Sequence, residues 1–361
     1  MCPQSPLAPE RPGPPGTILC RVDCGPAVGS GHVMRCLALA QAWRTLGGEA
    51  VFLFSRPDPV LRAVLAGRGV AGVALAGPDA GRHDIEETLA LACRTAASWI
   101  VLDGYRFGAD WTARLAASAA ARVLVVDDLA REPAYRADLL LNHNPWAEAS
   151  LYAGRIAPGA VLAGPEYTLL RPEFLAQRRQ GQAVAASASR LLVTFGATGG
   201  SGLVEKTLKA LESPALGGLE TRFVAGHLRR DGLALDVAGL KRRLGLRVLE
   251  HVDDMAEVMA WADLALASAG STAWELMLLG VPSLLTVIAD NQLGVAQYAA
   301  SVGAARNLGR QEVLDAPRLA AALTALAGDA QARQAMRLAG QGRLDGQGAL
   351  RTARRMLAIA A

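Results

Sequence analysis

The chain has 361 residues, of which 52% are hydrophobic and 19% charged, a length and balance that exclude a peptide-sized scaffold and a disordered chain and leave room for two cores. Lys and Arg number 37 against 33 Asp and Glu, a net charge of +4 that is too dilute for a nucleic-acid footprint, and no basic stripe interleaved with aromatics is present. The longest apolar stretches, such as 276–288, are broken by Gly280 and Pro282 and fall short of the roughly 18 residues a membrane span needs.

Residues 1–16 are proline-rich and lack an apolar signal core, so they read as a disordered leader rather than a targeting segment. From Thr17 onward, short β-rich runs alternate with helical patterns, the signature of βα units on a parallel sheet. TILCRVD is the first strand, followed by a Gly-rich turn and a helix from about His32 to Leu46 with Val33, Leu37, Ala40 and Trp43 on one face. EAVFLFS, SWIVLD, ARVLVVDD and ADLLLNHN supply four more strands, each ending in a polar residue. The small-residue stretch within 172–190 reads as a connection between a first domain (17–171) and a second (191–361). The pattern then restarts with RLLVTFG, a helix near 203–211, and strands in TRFVAG, LRVLEH, ADLALAS and PSLLTVIA; the Ala/Leu/Arg-rich end is helical, interrupted near 340–348. Two such domains imply a crevice between them, with ligands beyond the carboxyl ends of the strands.

That geometry directs attention to strand ends. Gly29-Ser30-Gly31-His32, followed by Arg35, lies between the first strand and helix. Its glycines allow close backbone approach, the helix start favours anionic or polar ligands, and an imidazole there can exchange a proton near neutral pH. The turn has neither the third glycine of a dinucleotide fingerprint nor the Lys-Ser/Thr of a P-loop. Asp23, Asp103, Asp127, Asp128, Asn142 and Asn144 end successive strands of the first half, a set suited to a hydroxyl- or amide-bearing ligand, although such residues also serve as caps and turn formers. In the second half, Phe195-Gly196-Ala197-Thr198-Gly199-Gly200-Ser201 and Ser268-Ala269-Gly270-Ser271-Thr272 are two strand-to-helix turns. Together they could cradle a diphosphate without a metal, with Glu275 one turn on as an acceptor for ribose hydroxyls. Asp290-Asn291-Gln292 closes the next strand, and Ser271, Thr272 and Glu275 fit a helix-capping pattern almost as well. The five cysteines, at 2, 20, 24, 36 and 93, form no C-x-x-C pair, which points to a reduced, cytoplasmic protein without a zinc knuckle. His83, His227 and His251 have no ligand-spaced neighbours, and no G-x-S-x-G elbow is present.

RVDCGPAVGSGHVMRCLALAQAW, VVDDLA with DLLLNHN, GPEYTLLRPEF, VTFGATGG, ADLALASAGSTAWELMLLGVPSL and ADNQ together resemble the PseG-type UDP-sugar hydrolases of pseudaminic acid biosynthesis, relatives of MurG-like glycosyltransferases, from about Thr17 to the C-terminal segment. The resemblance implies a GT-B fold, two Rossmann-like parallel-sheet domains facing a central crevice. It implies metal- and cofactor-independent, inverting hydrolysis of UDP-2,4-diacetamido-2,4,6-trideoxy-β-L-altropyranose to UDP and free sugar, with His32 as general base. Asp23 or Asp103 would support the imidazole. The retained Asp103-Gly104-Tyr105 element implies a sugar-side role for Asp103 or Tyr105, and Glu275 falls on the ribose-binding glutamate. The substrate set expected on this reading is Gly29, Gly31, Arg35, Tyr105, Asn142, Gly196, Ser268, Gly270, Ser271, Thr272, Glu275, Asn291 and Gln292. A UDP-sugar is then the partner, with no nucleic acid, no membrane insertion and a monomer expected. Ala197-Thr198-Gly199 stands where relatives carry a GGSD-type turn. A glycosyltransferase using a UDP-sugar donor is the principal alternative, and a non-catalytic nucleotide-sugar sensor the third.

Overall fold

A computed structural model describes residues 15–25, 29–55, 59–76, 82–178, 183–196, 201–224, 239, 244–250 and 252–360. The first sheet contains β1 (Thr17–Val22), β2 (Glu49–Phe54), β3 (Ala71–Ala74), β4 (Ala97–Asp103), β5 (Arg122–Val126), β6 (Leu139–Asn142) and β7 (Val161–Ala163), in the order β3-β2-β1-β4-β5-β6-β7. Each neighbouring pair is parallel. Helices α1 (Gly31–Thr45), α2 (Pro59–Ala66), α3 (Arg82–Arg94) and α4 (Ala109–Ser118) connect these strands.

Both faces of this sheet are buried under helices, which is why its central strands are runs of Val, Ile and Leu rather than alternating patterns. Arg21 is the exception inside β1, fully buried because Asp84 of α3 meets its guanidinium twice at 2.7 Å. A buried cation needs such a paired carboxylate.

The second sheet contains β8 (Arg190–Thr194), β9 (Glu220–Val224), β10 (Arg247–Leu249), β11 (Leu264–Ser268), β12 (Ser283–Val287) and β13 (Ala305–Arg310), in the order β10-β9-β8-β11-β12-β13 and again parallel. Between the sheets lies α5 (Pro172–Ala176); the later helices are α6 (Ser201–Leu211), α7 (Met255–Trp261), α8 (Thr272–Leu279), α9 (Leu293–Ser301), α10 (Ala316–Gly328), α11 (Ala330–Gln341) and α12 (Gly348–Ala360). Strand order reverses between β1 and β4 in one sheet and between β8 and β11 in the other. A doubly wound sheet opens a ligand crevice at that point, so the ends of those four strands decide what the site contains.

Two boundaries differ from the sequence reading. The C-terminal helix α12 does not stay with the second sheet: Ala349, Ala353 and Met356 join the core around α1. Those apolar positions at helical spacing form one stripe, and it is buried against α1. The stretch 172–190 is not a free connection either. Its first residues form α5, whose Phe174 is fully buried in the second core, and Arg333 of α11 donates to the carbonyls of Ala185 and Ala186. Residues 179–182, within the same stretch, lie outside the described residues.

Candidate active site

A crevice of about 1210 Å³ runs between the two sheets, ample for a ligand of sugar-nucleotide size. On one side stand Gly29, Gly31, His32, Arg35 and Tyr105; on the other Gly196, Ser268, Gly270, Ser271, Thr272, Glu275, Asn291 and Gln292. Asp103, Asp23 and Asn142 are not among its lining residues. Asp103 lies directly behind His32, whereas the other two point elsewhere.

His32 sits in the first turn of α1, whose N-cap Ser30 makes no side-chain cap bond and whose first turn holds no acidic residue. Its Nδ1–H donates to Asp103 Oδ1 at 2.5 Å, which fixes the tautomer and leaves Nε2 for a ligand or water. Asp103 is fully buried. Its carboxylate also accepts from Arg35 Nε and Nη2, each at 2.6 Å, and from the Cys36 thiol at 3.3 Å. Burial alone would raise the Asp103 pKa, but the Arg35 guanidinium and His32 outweigh it and hold the carboxyl well below the usual range. Burial, with Cys20 and Asp103 beside it, pushes the Cys36 thiol well up, so it remains a donor.

Arg35, expected to meet substrate, lines the crevice and also holds an ion-pair network inside the first domain. Beyond Asp103 it donates through Nη1 to Asp128 at 2.7 and 2.9 Å and lies 2.9 Å from His143 Nε2. Burial works against the Asp128 charge, yet Arg35 prevails and holds its pKa down at about 2. Asp128 also accepts from Asn144 at 3.1 Å and from the Tyr105 hydroxyl at 3.2 Å. Burial and the Asp128 charge push Tyr105 up to about 12, keeping it a donor. The Tyr105 hydroxyl in turn accepts from Asn291 Nδ2 at 3.0 Å, a bond that crosses from the first sheet to the second.

Asp23 does not touch His32. Its carboxylate faces Arg106 Nε at 2.7 Å and Arg21 at 3.8 Å, and burial raises its pKa despite both cations. It needs the glycine at 104, because a Cβ there would fall 2.3 Å from Asp23 Oδ2. Asn142 is likewise turned inward: it donates to Tyr152 at 2.8 Å and its Oδ1 accepts from the backbone and side chain of Asn144. Its part is to present Asn144, which does line the crevice.

In the second domain, Ser271 caps α8 without using its side chain, so the hydroxyl remains available to a ligand. A Cβ on Gly31 would lie 3.8 Å from Ser271 Oγ, so the two helix starts face each other across the crevice. Glu275 Oε1 accepts from Arg171 at 3.0 Å, while burial raises the Glu275 pKa against that cation. Gln292 Oε1 accepts from the Ile288 amide at 3.1 Å. Residues 197–200, the centre of the other expected diphosphate turn, lie outside the described residues, as do His227 and His251. His83 is a surface residue paired with Glu87 at 2.7 Å, and Cys20, Cys24, Cys36 and Cys93 are thiols, in no disulfide. Among the described residues there is no group of three or more His, Cys, Asp or Glu able to hold a metal, and no helix long and apolar enough to cross a membrane.

Arg171, His143 and Trp146 are among the lining residues that escape the sequence reading of the site. His143 is buried, and Trp146 reaches from the first domain onto Trp274 and Tyr298, with ring centroids at 5.6 and 5.8 Å. The signal was present in the run NHNPW, which begins at the strand-end Asn142. Burial, reinforced by Arg35, lowers the His143 pKa to about 4, against the pulls of Asp128 and Asp103 and with His32 nearby. The unfolded chain then takes up this proton near pH 6.5 and the folded protein only near 4, so the unfolded state binds more protons in between and stability falls as pH drops through that window. The full penalty is about 3 kcal/mol. Thermal melts should therefore show Tm declining from pH 6.5 to 4, with His143→Asn shallower over the same range; equal slopes would assign the decline to other groups.

Comparisons with known proteins agree with this architecture. Residues 190–347 match the family model "Glycosyltransferase family 28 C-terminal domain". The spore coat polysaccharide biosynthesis protein SpsG of Bacillus subtilis is 26% identical over 192 residues, 53% of this chain and 56% of that protein, so the chain spans little more than half of that relative. The UDP-N-acetylglucosamine--N-acetylmuramyl-(pentapeptide) pyrophosphoryl-undecaprenol N-acetylglucosamine transferase of Halorhodospira halophila is 29% identical over 324 residues, 83% of this chain and 87% of that one. Acinetobacter baumannii MurG superposes with a TM-score of 0.60 at 17% identity, covering 95% of this chain and 99% of the other. The chain thus has the GT-B fold, two parallel-sheet α/β domains, and its residues 190–347 are similar to the glycosyltransferase family 28 C-terminal domain.

Proposed function

We propose that this protein is an enzyme that breaks the anomeric carbon–oxygen bond of a UDP-sugar, with His32 as general base and water as the nucleophile. The observation that carries the reading is the His32–Asp103 pair. A buried, ionised carboxylate fixes one imidazole nitrogen, and the other is left at the crevice opposite the start of α8. Nε2 takes the proton of the attacking water while Asp103 stabilises the imidazolium that forms. The water oxygen bonds to the anomeric carbon, the bond to the β-phosphate breaks, and its electron pair leaves on UDP, with inversion at carbon. The charge developing on the diphosphate is met by the backbone N–H groups at the start of α8 and the hydroxyls of Ser271 and Thr272.

Glu275 then holds the ribose hydroxyls through Oε2, which has no hydrogen-bond partner among the described residues, while Oε1 accepts from Arg171. Glu275→Gln, which keeps the shape and removes the charge, is expected to weaken UDP binding roughly tenfold, the cost of a hydrogen bond to a charged acceptor. Isothermal titration of UDP checks this, and unchanged affinity would move the ribose elsewhere. The likeness to PseG-type hydrolases favours UDP-2,4-diacetamido-2,4,6-trideoxy-β-L-altropyranose as substrate. A second reading, transfer of the sugar to an acceptor hydroxyl, is favoured more directly by the names of the relatives, which include a transferase. It uses the same base and leaving group and differs only in the nucleophile. Donor consumption without acceptor separates the two.

A further inference from the structure

We infer that Tyr105, latched to Asn291, selects the nucleophile by closing the space above His32 to any alcohol while admitting water. This rests on the UDP-sugar hydrolase reading and adds to it the residue that keeps the reaction from becoming a transfer. Three observations meet here. The Tyr105 and His32 rings touch edge to face, with centroids 4.9 Å apart and planes at 82°. Tyr105 is 49% exposed and His32 beneath it 5% exposed, so the phenol ring is the outer wall over the imidazole. Its hydroxyl is held from both sides, donating to Asp128 at 3.2 Å and accepting from Asn291 at 3.0 Å.

The ring is therefore not a loose surface group. Asp128 ties it to Arg35 and so to the support of His32, while Asn291 ties it to the second domain. An acceptor hydroxyl carries a carbon chain that must pass this ring to bring its oxygen to Nε2, whereas water has no such chain. Selection of this kind works by a clash against the wrong partner rather than by attraction to the right one.

The test supplies the UDP-diacetamido donor in buffer with methanol as co-solvent and follows UDP, free sugar and methyl glycoside by proton NMR. Methanol balances as water does: its oxygen bonds to the anomeric carbon, its proton goes to His32, and UDP leaves. The parent protein is expected to yield free sugar. Tyr105→Ala, slower but still releasing UDP, should raise the ratio of methyl glycoside to free sugar at least about tenfold, equivalent to lifting about 1.4 kcal/mol from the alcohol's path. Asn291→Ala, which keeps the ring but frees its second-domain end, should give a smaller rise.

If Tyr105→Ala releases UDP and yields only free sugar, the hydrolase reading stands and the latch is overturned. Equal glycoside from the parent overturns the latch as well. If Tyr105→Ala is inert, Asn291→Ala decides, and a ratio equal to the parent's overturns it. A parent that leaves the donor intact without methanol overturns the hydrolase reading and this inference with it.

Discussion

His32→Ala is expected to lower turnover of the UDP-sugar by roughly 10² to 10⁴, the usual contribution of a general base, while UDP affinity stays near that of the parent. The split follows from where the groups lie. His32 is on the first sheet's side of the crevice, and the α8 start, Glu275 and Gln292 are on the other, so the base and the proposed nucleotide contacts belong to separate domains. Removing the imidazole takes the proton acceptor away without touching Ser271 or Glu275. Single-turnover rates with UDP titration check the claim; a loss of UDP affinity without a separate rate defect would make His32 a binding residue.

Arg35→Met is expected to be the most destabilising substitution at the site. The guanidinium holds two carboxylates at once, the fully buried Asp103 at 2.6 Å and the largely buried Asp128 at 2.7 Å, and among the described residues nothing else of positive charge is bonded to both. Removing one partner of a buried ion pair costs about 3 to 5 kcal/mol, because the remaining charges lose their compensation. In a domain of this size that lowers Tm by about 10 °C. The same variant frees Asp103 to rise in pKa and accept a proton, so His32 loses its orienting partner and activity falls with stability. Arg35→Lys should recover part of the stability but not the geometry, since one ammonium cannot serve both carboxylates as the planar fork does. Differential scanning fluorimetry reads the first effect, and wild-type-like Tm in Arg35→Met would mean the network is idle.

Much of the fold was legible because buried parallel strands are written as apolar runs with polar ends. ILCRV, VFLF, WIVL, VLVV and LLLN all became strands of the first sheet, and LLVT, TRFV, RVL, LALAS and SLLTV of the second. The strands that were not read are of another kind. β3 (AGVA) alternates between exposed and half-buried positions at an edge, β7 is three residues long, and β13 (ARNLGR) is polar because one side lies open. Edge strands lack the continuous apolar run that marks a central one.

The site was legible in its outline for the same reason: residues at strand ends on either side of a reversal in strand order converge, whatever their neighbours. What could not be read was how the polar groups share one another. Nothing in the sequence says that Asp103 rather than Asp23 meets His32, because both end adjacent strands, with Val22 opposite Asp103 in register. The choice is made by Arg106 and Arg21, which hold Asp23, and by Arg35, which spans to Asp103. That Arg35 also ties two carboxylates together could not be read, since Asp103 and Asp128 stand 68 and 93 residues away in sequence. The return of α12 to the first core was hidden likewise, since an amphipathic stripe states that a helix is buried but not against which domain.

The most direct test of the whole account is a proton NMR time course of purified protein with UDP-2,4-diacetamido-2,4,6-trideoxy-β-L-altropyranose, without acceptor and with chelator present, beside His32→Ala. UDP and free sugar are expected to appear together with the parent protein, and at a rate lower by at least about 10² with the variant. Donor that stays intact until an acceptor alcohol is added, or that is consumed equally by His32→Ala, would contradict it.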